Sequence, residues 1–167
     1  SLFWYSHLMK LIKTLLTILV ISLLSSPSWS AEMGDLVARN GLWYKQFSDV
    51  PFTGKVTGRE QGSFKNGKAD GTWVEYYNNG QVLYKYNYKN GKLEGAFVTY
   101  WKNGQLRSKG NHENGKQEGA FVMYRDNGRL WSKGTWKNDK REGTWVDYNK
   151  DGTVDKEYAG TFKDGVK

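Results

Sequence analysis

The sequence predicts an all-β protein: a repetitive β-hairpin meander that forms an elongated, twisted, single antiparallel sheet. Three observations carry this expectation. One block recurs, as Gly71-Thr72-Trp73-Val74-Glu75-Tyr76, Gly95-Ala96-Phe97-Val98-Thr99-Tyr100, Gly119-Ala120-Phe121-Val122-Met123-Tyr124 and Gly143-Thr144-Trp145-Val146-Asp147-Tyr148, with a period of 24 residues. A period of this size marks an array of one supersecondary unit. Asn-Gly pairs at 79–80, 103–104 and 127–128 follow the block, and others at 90–91 and 114–115 separate the copies. Asn-Gly supplies the positive φ angles of a tight hairpin turn. The composition, 16% aromatic with 20 Gly and only 2 Pro, leaves apolar burial to aromatic side chains and disfavours long helices.

The first 30 residues form a separate unit. Met9-Lys10-Leu11-Ile12-Lys13 is followed by the apolar run Leu15 to Leu24 and by small residues at Ser28 and Ser30. A short basic start, an apolar run too brief to span a bilayer and a small-residue site are expected of a secretory signal peptide cut before Ala31, with Ser1 to Leu8 upstream of the start. Export to the periplasm or the medium of a Gram-negative bacterium is the corresponding expectation. Removing Lys10 and Lys13 lowers the net charge from +8 to +6. With no Cys, stability must come from packing and backbone pairing.

Residues 31–70 read as a lead-in with an incomplete first copy, and residues 71–167 as four hairpin copies. Ala31 to Asn40 suits one turn of helix or an edge strand. Gly41 to Phe47 reads as a strand and Ser48-Asp49-Val50-Pro51 as a turn. Phe52 to Gly58 and Gln61 to Phe64 give two more strands. The last copy carries about two extra residues near Asp155 to Glu157, as terminal copies of arrays often do.

Alternation along a strand sends neighbouring side chains to opposite faces. Val74, Tyr76 and their equivalents share one parity, taken as the buried face. Trp73, Phe97, Phe121 and Trp145 share the other, taken as half-wet, with Trp101 and Trp131 close by. On the return strands Val82, Tyr84, Tyr86 and Tyr88 form the apolar parity, and Lys85, Lys109 and Lys133 belong to a basic alternate parity placed beside the tryptophan and phenylalanine column.

Tyr158-Ala159-Gly160-Thr161-Phe162-Lys163-Asp164-Gly165, Gly134-Thr135-Trp136 with Lys140-Arg141-Glu142-Gly143, and Asn90-Gly91-Lys92-Leu93-Glu94-Gly95 resemble the MORN repeat, in the bacterial variant found in proteins labelled toxin–antitoxin system antitoxins. Val50 to Val56 looks like the start of those proteins. The resemblance covers roughly residues 41–167 and implies hairpins stacked into an elongated sheet. It also implies protein–protein scaffolding or lipid binding; with export, an immunity protein against an exported toxin fits.

No catalytic constellation stands apart from the repetition, so no enzyme activity, catalytic residue, metal site or cofactor is expected. His112 falls in the column of Phe64, Tyr88, Trp136 and Phe162 and reads as a packing residue. Glu94, Glu118 and Glu142 recur just before the copy-opening glycines, where equal environments do not split carboxylates into acid and base. The candidate binding residues are Trp73, Phe97, Trp101, Phe121, Trp131 and Trp145 with Lys85, Lys109 and Lys133. The expected partner is another protein, gripped by the aromatic column or by strand addition. An anionic lipid or envelope-glycan surface held by the lysines is the alternative, and an envelope enzyme the alternative of another class. Nucleic acid is not expected. The oligomeric state stays open.

Overall fold

The computed structural model describes residues 29–167. Residues 1–28, and with them most of the expected signal peptide, lie outside the described part. Strands β1 (Ser30–Glu32), β2 (Leu36–Arg39), β3 (Leu42–Lys45), β4 (Gly54–Thr57), β5 (Glu60–Lys65) and β6 (Lys68–Ala69) form the lead-in. Next come β7 (Gly71–Tyr76), β8 (Val82–Lys89), β9 (Lys92–Leu93), β10 (Gly95–Tyr100), β11 (Leu106–Glu113), β12 (Lys116–Gln117) and β13 (Gly119–Tyr124). The chain closes with β14 (Leu130–Lys137), β15 (Lys140–Asp147) and β16 (Gly160–Phe162). One open sheet runs β1-β4-β5-β7-β8-β10-β11-β13-β14-β15-β16, so the long strands are neighbours in sequence order and the meander is as expected.

The lead-in adds two features that alternation does not announce. β1 joins β4 in parallel, Ala31 opposite Val56, and β2 with β3 makes a separate two-stranded sheet. Trp43 on β3 packs against Phe64, and Ala31, Leu36, Phe52, Val56, Phe64 and Trp73 form the buried cluster at this end. The small sheet thereby covers the first turn of the array, where the next copy would otherwise sit. Ser30 is the first residue of β1 and the Trp29 carbonyl accepts the Lys55 N–H at 2.8 Å, so cleavage before Ala31 would remove both contacts.

The two kinds of Asn-Gly turn differ. Between copies, Asn90 (φ 51°) and Gly91 (φ 80°), like Asn114 and Gly115, both take positive φ, as a two-residue hairpin turn requires. Asn138 and Asp139 do the same at φ 50° and 65°, with Asp in the glycine's place. Within a copy only the glycine does. Gly80 (φ 81°) closes a three-residue loop in which Tyr77 N–H donates to Gln81 O at 2.8 Å, and the pairing then slips between Glu75 and Tyr76, leaving Leu83 bulged. Asn79 is used through its side chain: Oδ1 accepts from Gln81 N–H, and Nδ2 donates to Lys102 O in the next copy at 3.1 Å.

Copy is fastened to copy at both ends of the hairpin. At the loop end, Tyr77 Oη, Trp101 Nε1 and Arg125 Nη2 each donate to the carbonyl 23 residues on, at Tyr100, Tyr124 and Tyr148. At the other end Asp70, Glu94, Glu118 and Glu142 each accept the backbone N–H of the turn residue ahead, at Asn90, Asn114, Asn138 and Asp164. These recurring carboxylates therefore act on the backbone. Glu118→Ala should lower the free energy of unfolding by about 1.5–3 kcal/mol, the usual worth of a hydrogen bond to a charged group, in a urea titration; Glu118→Gln should retain part of it.

Cross-strand register fixes the two faces of the sheet and reverses the expectation for them. Trp73 lies opposite Tyr86 and Val74 opposite Lys85. Phe97 and Phe121 face Gly110 and Gly134, while Val98 and Val122 face Lys109 and Lys133. The Trp/Phe parity thus shares a face with Tyr84, Tyr86 and Tyr88, and this is the buried face: Trp73, Phe97 and Trp145 are 8%, 7% and 1% exposed. The valines share the other face with the lysines and are only half-buried.

Glycine explains how a single sheet layer buries an indole. A Cβ on Gly62 would meet the Trp73 ring at 2.2 Å, and one on Gly134 would meet the Trp145 ring at 2.2 Å. Each ring therefore lies flat on the backbone of the adjoining strand, and its N–H donates to the next carbonyl, Ser63 O at 3.2 Å or Thr135 O at 2.9 Å. Edge-on and stacked contacts join the rings into a row: Phe64–Trp73 at 5.0 Å, Tyr86–Phe97 at 5.4 Å, Phe97–His112 at 4.7 Å and Trp136–Trp145 at 4.9 Å.

Candidate binding surfaces

The sequence-predicted binding residues do not form one surface. Trp73, Phe97 and Trp145 are interior, so they cannot grip a partner, and Phe121 is half-buried with its ring 5.9 Å from Trp145. Trp101 is half-buried and spends its indole N–H on Tyr124 O at 3.1 Å, beneath the Arg107 guanidinium at 4.7 Å. Of the aromatic candidates only Trp131, 37% exposed, reaches the surface freely. Lys85, Lys109 and Lys133 are exposed on the opposite face from the ladder.

On that face, register alternates valine and lysine along the sheet as Val74, Lys85, Val98, Lys109, Val122, Lys133 and Val146. Strands lie about 4.8 Å apart, so the ammonium groups recur roughly every 10 Å. A parallel polar column flanks them: Thr72 Oγ1 donates to Asn87 Oδ1 at 2.8 Å, and Asn87 Nδ2 to Ala96 O at 2.7 Å.

A second basic column runs along the turns between copies, where Lys89 and Lys137 of the basic return-strand parity each meet an opposing lysine that the sequence reading did not single out. Lys65 is paired with Lys68, Lys89 with Lys92 and Lys137 with Lys140, each lysine exposed; Glu113 with Lys116 is the single opposite-charge pair of the set. The signal was present in the flanks of the Asn-Gly turns, since residues either side of a two-residue turn face each other. Like charges directly opposed across a hairpin are destabilising. Among the described residues the ion pairs are Arg39–Asp49, Arg59–Glu75 and Arg141–Asp147, and none involves a lysine of this face.

His112 occupies its aromatic slot, 7% exposed, between Phe97 and Tyr86. Burial holds its pKa below the ordinary 6.5, against a smaller upward pull from Asp139. Protonation is thus harder in the folded chain than in the unfolded one. The contribution of this residue to stability is complete above pH 6.5, declines as pH falls below it, and levels off beneath the folded value. His112→Tyr, which restores the residue of Tyr88's position, should flatten the fall in urea midpoint between pH 7.5 and 5 relative to the wild-type chain. Burial likewise raises Tyr84, Tyr86 and Tyr88, with Glu75 adding a hydrogen bond at Tyr84. Among the described residues no cluster of three His, Cys, Asp or Glu gathers at metal-binding distance.

A family model described as MORN repeat variant matches residues 69–90, 93–116 and 117–138. These three stretches are similar to the MORN repeat variant. Each MORN match covers a long first strand, its loop and its return strand, the unit defined above by register. No curated protein matches the chain. Among solved structures, the crystal structure of GtfA/B complex bound to UDP and GlcNAc is similar over 72% of this chain and 26% of that one, at 16% identity and a TM-score of 0.27. The chain spans about a quarter of that protein's length.

Proposed function

We propose that this chain is a non-catalytic, exported MORN-repeat scaffold whose lysine face docks the acidic surface of another protein, in the manner of an antitoxin or immunity protein. The observation that carries the reading is the opposition of lysine to lysine at the turns. A sheet that served only itself would gain stability by placing Asp or Glu in one of each pair; retaining both charges favours an anionic partner that neutralises them. MORN repeats are in general binding modules, which supports the class. Export rests on the Met9 to Ala31 pattern.

A second reading follows from the same face. A regular lattice of ammonium groups on an open sheet also suits anionic lipid headgroups or envelope glycan, at about 1 kcal/mol per lysine near such a surface. Affinity capture from periplasmic extract at low and high salt, beside sedimentation with phosphatidylglycerol vesicles and with peptidoglycan, separates the two. The protein reading expects one polypeptide in near-equal amount, released by salt and absent with Lys85/Lys109/Lys133→Ala. Recovery that ignores both salt and the triple substitution overturns the lysine face as the site.

A further inference from the structure

A cleft of about 610 Å³ opens on the aromatic face at the C-terminal end of the array, and it exists because the repeats depart there from their own pattern. In the second MORN repeat, Trp101 starts the loop and Arg107 is the bulged residue that covers its ring. In the third the two residues are exchanged: Arg125 starts the loop and Trp131 is bulged, with the guanidinium 4.8 Å from the ring. Both starters donate to the same carbonyl of the next copy, so the exchange leaves the fastening intact while moving a cation inward and an indole outward.

The same neighbourhood leaves polar atoms without partners. Ser108 Oγ lies 2.6 Å from Thr99 Oγ1; one repeat later Met123 replaces the threonine, and Ser132, 6% exposed, has no hydrogen-bond partner for its hydroxyl. Trp136 Nε1 and Arg125 Nε are buried and also unpartnered. All three residues line the cleft. Buried polar groups are nearly always hydrogen-bonded, so these orphans call for partners; register sets Trp136 four residues along the strand from Ser132, with the Trp145 ring on Gly134 between them, so Ser132 and Arg125 are the two that one group can meet.

The chemistry of that group follows from what converges. A guanidinium N–H can only donate and a hydroxyl can donate, so the missing group is an acceptor. The Arg141–Asp147 pair (2.9 Å) is mutually neutral, and Asp155 keeps its charge while accepting from the backbone of Glu157, so Arg125 and Lys150 against Asp155 leave the cleft one positive charge in excess. The remaining walls are rings, chiefly Phe121, Trp131 and Trp145. A pocket of this size with aromatic walls and a few converging donors is the usual form of a small-molecule site.

The geometry points to a binding site in this cleft for a small molecule that carries a carboxylate on a flat apolar body. The carboxylate meets Ser132 and Arg125, and the body lies against the rings. This site is on the face opposite the lysines and does not depend on the protein-docking reading.

Calorimetric titration of the chain with indole-3-acetate tests it, with acetate as the acid lacking the body and tryptamine as the same body with the opposite charge. Indole-3-acetate should bind at least tenfold more tightly than either. Ser132→Ala should weaken it severalfold at unchanged thermal midpoint, because that hydroxyl has no partner to lose. The double exchange Arg125→Trp with Trp131→Arg, which rewrites the third repeat as the second, should keep the fold by circular dichroism and lose binding tenfold or more. Equal affinity for the three probes, or full binding by the folded double variant, overturns the assignment and leaves water as the partner of the three donors.

Discussion

Trp145→Ala should lower the free energy of unfolding by about 3–5 kcal/mol, the cost of truncating a large buried aromatic residue. The indole is 1% exposed, lies on the backbone at Gly134, donates to Thr135 O and carries Arg141 over its ring at 4.3 Å, so its loss empties the end of the aromatic row. Val146→Ala, one residue along on the lysine face, should cost about 1 kcal/mol or less, because the valine is only half-buried. Urea titrations of the two variants check which face is the interior. Equal losses would return the valine parity to the core.

Charge reversal at the turns should move stability and binding in opposite directions. Lys89→Glu sets a carboxylate against Lys92, and Lys137→Glu sets one against Lys140. Each converts a repulsive cross-strand pair into an attractive one and should raise stability by about 0.5 kcal/mol. Each also reverses a charge on the docking face. At about 1 kcal/mol per lysine, two reversals should weaken binding to an anionic partner at low salt by a hundredfold or more. The double variant would melt higher and bind worse. A variant that binds as the wild-type chain does would show that the turn lysines are solvation alone.

Much of the fold was legible because its signals are local. The Asn-Gly pairs, the 24-residue period and the strand alternation fix hairpins between neighbours in sequence, and the structure has those hairpins. The aromatic slot of His112 followed from the period alone. The expectation for the faces failed at Trp73, Phe97 and Trp145, although the register was within reach: counting outward from Asn79-Gly80 sets Trp73 against Tyr86, so tryptophan and tyrosine had to share a side. Hydropathy could not choose, since Val-Tyr and Trp-mixed parities are both half apolar. Trp101 was misread for a related reason, because a loop-starting indole that ties two copies together looks in sequence like an exposed anchor.

The lead-in and the cleft were least legible. The parallel pairing of Ser30–Glu32 with Lys55–Thr57 and the closure of β2 with β3 over Phe64 join segments whose alternation is too short to specify a partner. The cleft depends on correlated exchanges, Arg125 with Trp131 and Met123 against Ser132, whose meaning appears only when the bulge shows which residues meet.

The sequence by itself determined a repeated hairpin, its turns and its antiparallel order, because each is set by contacts within a few residues of a turn. Only the tertiary structure decided which side is the interior. That choice rests on Gly62 and Gly134, which lack the Cβ that would lift the indoles of Trp73 and Trp145 off the sheet, and therefore on packing between strands that no single strand's pattern contains. With the rings laid inward, the lysines are left as the open face.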